Sequence, residues 1–425
     1  MAAANRFSHV HANVSTIAAL RILSGEYFAG SAIHNQFIWK EINMPKVSVI
    51  IPIWNAEKYL AECLDKICRQ TLSDIEIICV DDGSNDRTGE ILARAKAMDS
   101  RIKVLWQENA GAGAARNAGM DVATGEYICF FDPDDWCDLD TLEVYYNKCV
   151  LCNADLLIAP LTKFDSTTGA DLGVMKFPKF LAPYQSGTGV LSPEEMGSNV
   201  FTAGGNGPCN KLFRRAVATD NAIRFQPLRR TNDLYFVKIF IANSQRIAFS
   251  DRACYHYRKG ISSATTRDKL SDSFCSALEA VHDRLVADGM FQKFASAFGR
   301  LTIGSFVFNL KSIKNRDSLL KWYAGVRPRI IALMSAVSAS SDIALYRQER
   351  AIYTAVVASE EVDVVIREMN RQSSLLMRSA ARLEREMQSV PLIGKALGGI
   401  KCVLENGIKY TIKHVARKVL RGSYP

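Results

Sequence analysis

Short apolar runs alternate with amphipathic segments along the first third of the chain. Val47–Pro52 is a continuous β-branched run closed by proline, which is typical of a buried strand. Further strands are predicted over Ile75–Val80, Ile102–Trp106, Tyr127–Phe131 and Asp155–Ala159. Because strands and helices alternate at short spacing, the pattern predicts an α/β fold with a mostly parallel central sheet and helices on both faces.

Helical spacing fills the segments between these strands. Five apolar positions share one face of a first helix, for which Asn55 is the expected N-cap: Tyr59, Leu60, Cys63, Leu64 and Ile67. Further helices are predicted over about 87–98, 113–123, 140–152 and 232–243, and a strand near 254–259. Beyond residue 270 the pattern is almost wholly helical, so a helical C-terminal region should follow the sheet.

These patterns divide the chain into four expected segments. A catalytic α/β domain covers 44–265, a helical region covers 266–390, and a basic amphipathic tail covers 391–425. We expect residues 1–43 to be an N-terminal extension, with the functional polypeptide starting near Met44. The tail carries seven Lys and Arg against one Glu405, so it could lie on an anionic membrane surface or pack as an ordinary amphipathic helix.

Composition narrows the class of protein only a little. The hydrophobic share of 48% and the charged share of 23% are ordinary for a globular protein. The net charge of +9 suits a phosphate-bearing ligand or an anionic surface without identifying either. Eleven cysteines spread along the chain, and the lack of an apolar run of about 18 residues, favour a reducing compartment without a membrane span. We therefore expect a cytoplasmic protein, peripheral to the membrane if the tail binds it.

Two acidic clusters follow predicted strands. Asp81 and Asp82 end the second strand, and Asp132, Asp134 and Asp135 follow the fourth. Ligands of such sheets bind at the carboxyl ends of the strands. Three carboxylates within four residues repel one another, and a hard divalent cation such as Mg²⁺ or Mn²⁺ removes that repulsion. A solvated turn remains the alternative for the second cluster, and a helix cap for the first.

Two further motifs are ambiguous when taken alone. The stretch Asn109–Asn117 imitates a dinucleotide-binding loop, but Arg116 fills its third small position and the loop follows the third strand, so an NAD site is disfavoured. Asn232 and Asp233 begin a predicted helix, where an acidic residue is commonly a cap. The basic-aromatic stretches at 210–215 and 255–259 could be surface residues.

In their order along the chain, these motifs resemble glycosyltransferase family 2, the inverting, bacterial-type enzymes of the GT-A fold, over about residues 46–265. The matching stretches are Val47–Asn55, Val80–Asp86, Ala115–Gly119, Gly125–Tyr127, Phe131–Trp136 and Asn210–Phe213.

The resemblance implies a role for each matching residue. Nucleotide binding falls to Pro52, Trp54, Asp81 or Asp82, and Arg116, with the aromatic ring stacking on the base. Asp132 and Asp134 match the family's Asp-x-Asp, which grips the diphosphate through Mn²⁺ or Mg²⁺. Asp233 stands where the family has its catalytic base, but Asn232 replaces the usual neighbouring glutamate. The diphosphate or acceptor region would include Asp135, Lys211, Arg258 and Lys259.

The function implied is a metal-dependent, inverting hexosyltransferase that uses a nucleotide-diphosphate sugar, with UDP-sugar as first choice. Its acceptor would be a glycan or lipid-linked glycan in cell-surface polysaccharide biosynthesis, and no nucleic acid partner is expected. A nucleotidyltransferase is disfavoured because Pro52–Asn55 supplies no glycine-rich basic loop. A catalytically weak, glycan-binding or scaffold protein on the same fold remains open because of Asn232.

Overall fold

The computed structural model describes residues 44–175, 177–260, 272–313, 315–338 and 347–388. The described residues from Lys46 onward belong to one compact unit. The expected N-terminal extension over 1–43 and the expected basic tail over 391–425 lie outside the described residues.

The strands of the described chain are short and most are buried. They are β1 Val47–Ile53, β2 Ile75–Asp81, β3 Ile102–Trp106, β4 Tyr127–Phe130, β5 Trp136–Cys137, β6 Leu156–Ile158, β7 Leu161–Asp165, β8 Asp171–Met175, β9 Val190–Leu191, β10 Lys211–Arg214, β11 Ile247–Phe249 and β12 Tyr255–Lys259.

The helices of the sheet region are α1 Leu60–Cys68, α2 Thr88–Met98, α3 Ala112–Val122, α4 Thr141–Cys152, α5 Ala182–Gln185, α6 Pro193–Met196, α7 Arg215–Asp220 and α8 Asn232–Asn243, with 3₁₀ turns at Lys179–Leu181 and Gly197–Asn199. The C-terminal helices are α9 Ser273–Ala287, α10 Phe291–Ser312, α11 Arg316–Ser338, α12 Arg347–Ala358 and α13 Val362–Gln388.

Two sheets organise the described residues between Val47 and Lys259. The larger has the order β3-β2-β1-β4-β10-β6-β11-β9, and its β3, β2, β1 and β4 are all parallel neighbours. The smaller has the order β5-β12-β7-β8. Because β1, β2, β3 and β4 run in one direction, their carboxyl ends share one edge, and both acidic clusters lie there. The predicted fold class, a mostly parallel α/β sheet followed by helices, is confirmed.

Alternate residues of the strands enter two separate cores. Val49 and Ile51 of β1 pack in one core with α1 and α4, whereas Ile50 packs in the other, against α3. In the second core the Phe130 ring lies 5.0 Å from Phe225 and 5.5 Å from Phe236 (centroid distances). This core continues into helices α9–α11, so the C-terminal helices share apolar burial with the sheet.

The first helix begins later than the sequence predicts. The expected N-cap, Asn55, has a left-handed φ of 49°, and its Oδ1 accepts a hydrogen bond from the Asn85 amide at 2.9 Å. Helix α1 begins at Leu60 without a side-chain cap. The prediction for Asn55 was wrong, because its side chain holds the loop after β2 instead of a helix end.

The described cysteines are free thiols, including the buried Cys149 and Cys152, which are spaced Cys-x-x-Cys in α4. Within the part of the chain that the structure describes, no helix combines the length and apolar character that a bilayer crossing requires.

Candidate active site

The acidic turn after β4 is built around one buried carboxylate. Asp135 is 2% exposed and accepts hydrogen bonds from the Tyr255 hydroxyl at 2.5 Å and the Arg258 amide at 2.7 Å. Burial, followed by the charges of Asp132 and Asp134, raises the pKa of Asp135 well above its ordinary value. Asp135 therefore fastens the turn to β12 of the smaller sheet, which leaves the other two carboxylates at the edge.

Asp132 and Asp134 are partly exposed and differently paired. Asp132 forms an ion pair with Arg116 at 2.7 Å. The Asp134 carboxylate has no ion-pair partner among the described residues, and burial, with the Asp132 charge, raises its pKa to about 6. The two carboxylates repel each other, and of the two only Asp132 has an ion-pair partner among the described residues. Such a pair of oxygen ligands suits Mg²⁺ or Mn²⁺.

Arg116 connects this turn to a distant helix. It projects from α3, its guanidinium is almost completely buried, and it donates to Asp132 and, at 3.0 Å, to Oδ1 of Asn232. It also lies 5.3 Å from the Phe225 ring centroid. The sequence placed Arg116 facing the nucleotide. In the structure it bridges the end of β4 and the start of α8.

Asp233 occupies the first turn of α8, directly after Asn232. Burial raises its pKa, Arg116 lowers it and Asp132 raises it again, so the three charged groups share one electrostatic environment. Two motifs that are about 100 residues apart in sequence thus meet at the carboxyl edge of the sheet. Arg116 links the two motifs, because it donates both to Asp132 and to Asn232, the residue before Asp233.

The two aspartates at the end of β2, Asp81 and Asp82, differ in their remaining capacity to accept hydrogen bonds. Asp82 is buried and accepts hydrogen bonds from Gln107 Nε2 at 2.7 Å and from the amides of Ala110 and Gly111 at 2.8 Å. It holds the loop that leads into α3. Asp81 accepts only from the Ser84 amide, through Oδ1 at 2.9 Å, and its Oδ2 has no partner among the described residues.

The aromatic candidate beside Asp81 is accessible. Trp54 follows β1 and is 51% exposed, whereas Pro52 is buried inside β1 and paired with Val80. Pro52 therefore shapes the strand end, and the Trp54 ring is accessible to solvent.

Lys211, a candidate for the diphosphate or acceptor region, is buried, and its ammonium group is occupied by hydrogen bonds within the protein. It is fully buried, and its ammonium donates to the carbonyls of Gly204 and Gly207 at 2.7 and 2.6 Å and to Asn210 Oδ1. Burial lowers its pKa to about 8. Lys238 of α8, which the sequence gave no reason to select, holds the Gly205 carbonyl in the same way at 2.7 Å. Both lysines therefore hold the glycine-rich loop at 204–207 through hydrogen bonds to its carbonyl groups.

Arg258 and Lys259, which are neighbours in sequence, have different surroundings. Arg258 donates to the Asp134 carbonyl at 2.6 Å and to Glu62 at 3.1 Å, and its guanidinium lies 4.6 Å from the Tyr59 ring centroid and 4.8 Å from that of Phe164. It ties the acidic turn to α1. Lys259 is exposed at the end of β12.

A second group of potential metal ligands lies near the smaller sheet and consists of Asp138, Asp140 and Cys254. Its carboxylates already have cationic or imidazole partners: Asp138 contacts His256 at 3.0 Å and Asp140 binds Arg252 at 2.7 Å. The unpaired Asp134 makes the β4 turn the better fit for a cation.

The mostly parallel sheet with acidic residues along its carboxyl edge is a GT-A-type fold. Residues 48–220 match the family model described as glycosyl transferase family 2. Among relatives, GlyG of Streptococcus pneumoniae serotype 4 is 31% identical over 247 residues, which cover 57% of this chain and 80% of GlyG. GlyA of the same organism is 32% identical over 239 residues, covering 55% of this chain but only 34% of GlyA. The chain thus spans about a third of the length of GlyA.

Among solved structures, S. aureus TarS 1–349 in complex with UDP-GlcNAc aligns with a TM-score of 0.61 at 22% identity, covering 77% of this chain and 92% of that one. The chain belongs to glycosyltransferase family 2.

Proposed function

We propose that this chain transfers a hexose from a UDP-sugar to an acceptor hydroxyl with inversion, in the biosynthesis of a cell-surface polysaccharide or related glycan. The observation that carries the proposal is the Arg116 bridge, which brings Asp132 and the helix bearing Asp233 to one site. UDP is favoured as the nucleotide because TarS, a fold neighbour, is described in complex with UDP-GlcNAc.

The donor would lie along the carboxyl edge of the sheet. Trp54 would stack on the base, and Asp81, whose Oδ2 has no partner among the described residues, would bind the base edge. Asp132 and Asp134 would hold Mn²⁺ or Mg²⁺, which supplies charge neutralisation for the departing diphosphate. In this assignment Asp82, Asp135, Arg116, Lys211 and Arg258 hold the site in place, and Lys259 remains available to the diphosphate or acceptor.

Asp233 would take the proton from the acceptor hydroxyl as its oxygen attacks the anomeric carbon. Burial raises the pKa of Asp233, which makes it a stronger base than an exposed aspartate, while the charge of the nearby Arg116 acts in the opposite direction. A single base and direct displacement lead to inversion. Asn232 replaces a carboxylate in the family pattern, but here its Oδ1 accepts from Arg116, so it keeps the bridge intact.

The proposal is tested with Asp233→Asn, assayed for UDP release from UDP-sugars with Mn²⁺ and for UDP binding by calorimetry. We expect turnover to fall by about 10²–10⁴-fold, the usual contribution of a general base, while UDP affinity is retained. The matched control is Asp220→Asn, the same change at the exposed end of α7.

Near-normal turnover by Asp233→Asn would refute its role as the base. Wild-type protein that binds UDP but shows neither hydrolysis nor transfer with any UDP-sugar tested would favour the alternative of a catalytically weak, glycan-binding protein.

A further inference from the structure

A second tryptophan lies exposed at the same edge as Trp54. Trp106 is the last residue of β3 and is 66% exposed. Leaving an indole in water forgoes a burial free energy that large side chains normally gain on folding. Single exposed apolar residues need no explanation, but two exposed tryptophans on either side of one ligand-binding strand do.

Strand register places Asp81 opposite Trp106 and on the strand between those that carry the two tryptophans at their ends. Asp81 is paired with Ile53 of β1, the residue before Trp54, and with Trp106 of β3. Paired residues on neighbouring strands point to the same face of a sheet, so Asp81 and Trp106 project together. The Asp81 Oδ2, which lacks a partner within the described chain, thus belongs to a side chain that projects beside Trp106, on the strand next to the one that ends before Trp54.

The spacing suits a flat ring. β1 and β3 are two strands apart, which is about 9–10 Å at ordinary strand separation. A ring stacked between two others needs about 7–8 Å between the outer planes, from two contacts of about 3.5–4 Å each. Stacking of one flat ring between them therefore requires the two indoles to approach each other by about 2 Å through rotation about their side-chain torsions.

We propose that Trp106 is the second wall of the nucleobase site, so that the base lies between Trp54 and Trp106 and its ring N–H donates to Asp81. A base with an imide-type N–H, as in a uracil nucleotide, satisfies both the stacking faces and the carboxylate. The inference rests on the proposed function, because it assumes that a nucleotide occupies this edge.

The test is calorimetric titration of the full chain with UDP in Mn²⁺, for wild type, Trp106→Ala and Trp106→Phe. Base–aromatic stacking accounts for about a 10-fold or greater change in affinity, so we expect Trp106→Ala to bind UDP about 10-fold more weakly. Trp106→Phe keeps an aromatic face and should lose less than half of that factor on a logarithmic scale. The control is Phe308→Ala, which removes another exposed ring, on helix α10.

Two readouts distinguish the possible failures. If wild type binds UDP and Trp106→Ala binds it equally well, Trp106 is no part of the site and the proposed function is untouched. If wild type does not bind UDP, the proposed function fails and this inference fails with it. Quenching of tryptophan fluorescence by UDP should also shrink in Trp106→Phe, and unchanged quenching would contradict the proposal.

Discussion

Replacing Asp134 by asparagine should stabilise the protein in the absence of a metal ion. Burial and the neighbouring Asp132 raise the pKa of Asp134 from 3.8 to about 6. One pKa unit corresponds to about 1.4 kcal/mol, so keeping this carboxylate ionised in the folded state costs at most about 3 kcal/mol at neutral pH. Because Asp134 is partly exposed and water screens its charge, we expect a gain of about 1–3 kcal/mol.

The gain should depend on pH with a definite sign. The folded-state pKa of Asp134 lies above its unfolded value, so the folded state binds more protons between pH 3.8 and about 6. The stability of wild type therefore falls as pH rises through that window, and the cost is complete above it. The advantage of Asp134→Asn should be full at about pH 7.5, about half as large near pH 5, and absent below the unfolded pKa.

The assay is urea unfolding in EDTA at the two higher pH values, compared with Asp140→Asn. Arg252 binds the Asp140 carboxylate at 2.7 and 3.1 Å and lowers its pKa, so the same amide substitution there should reduce stability at neutral pH. Asp134→Asn that is less stable than wild type in EDTA at about pH 7.5 would refute the inference that the acidic turn is electrostatically unsatisfied.

Two further substitutions separate structural from binding roles. Asp82→Ala removes a buried acceptor of three hydrogen bonds and should destabilise the fold by about 2–4 kcal/mol. Asp81→Ala should instead weaken UDP binding with little change in the unfolding midpoint. The reverse pattern in urea unfolding and calorimetry would contradict this assignment. Asn232→Glu places a second carboxylate beside Asp233 and gives Arg116 a new anionic partner, and both effects raise the pKa of Asp233. The acidic limb of the pH profile of kcat/KM should therefore move to higher pH. An acidic limb at the same pH would show that residue 232 does not influence the pKa of Asp233.

Local pattern was sufficient for the elements that carry the site. The strand predicted at Ile102–Trp106 and the helix predicted over 232–243 have the observed bounds. Hydrophobic periodicity decides which residues of a segment face the core, and that information is contained in the segment itself.

Long-range pairing could not be predicted in the same way. β10 at Lys211–Arg214 lies antiparallel between β4 and β6, and the smaller sheet joins strands more than 100 residues apart. Short basic-aromatic stretches do not show which distant edge they pair with. The sequence consequently identified Lys211 and Arg258 as candidate site residues. It did not show that Lys211 is hydrogen-bonded to loop carbonyls, or that Arg258 binds the Asp134 carbonyl and Glu62.

Arg116 illustrates the same limit within the site. Its position in a match to the family pattern indicated importance, but its two partners lie 16 and 116 residues away, and only the folded chain brings them together. Trp106 was assigned to a strand end, and its exposure beside Asp81 emerges only from the register of β2 and β3.

The central claim is that the acidic turn after β4 holds a cation against the diphosphate of the donor. The direct measurement is the affinity of wild type and Asp134→Asn for UDP, in Mn²⁺ and in EDTA, with uridine as the ligand that lacks the diphosphate. We predict that Mn²⁺ tightens UDP binding about 10-fold or more in wild type, does so far less in Asp134→Asn, and leaves uridine binding unchanged in both. Equal UDP affinity of wild type in Mn²⁺ and EDTA would contradict the claim.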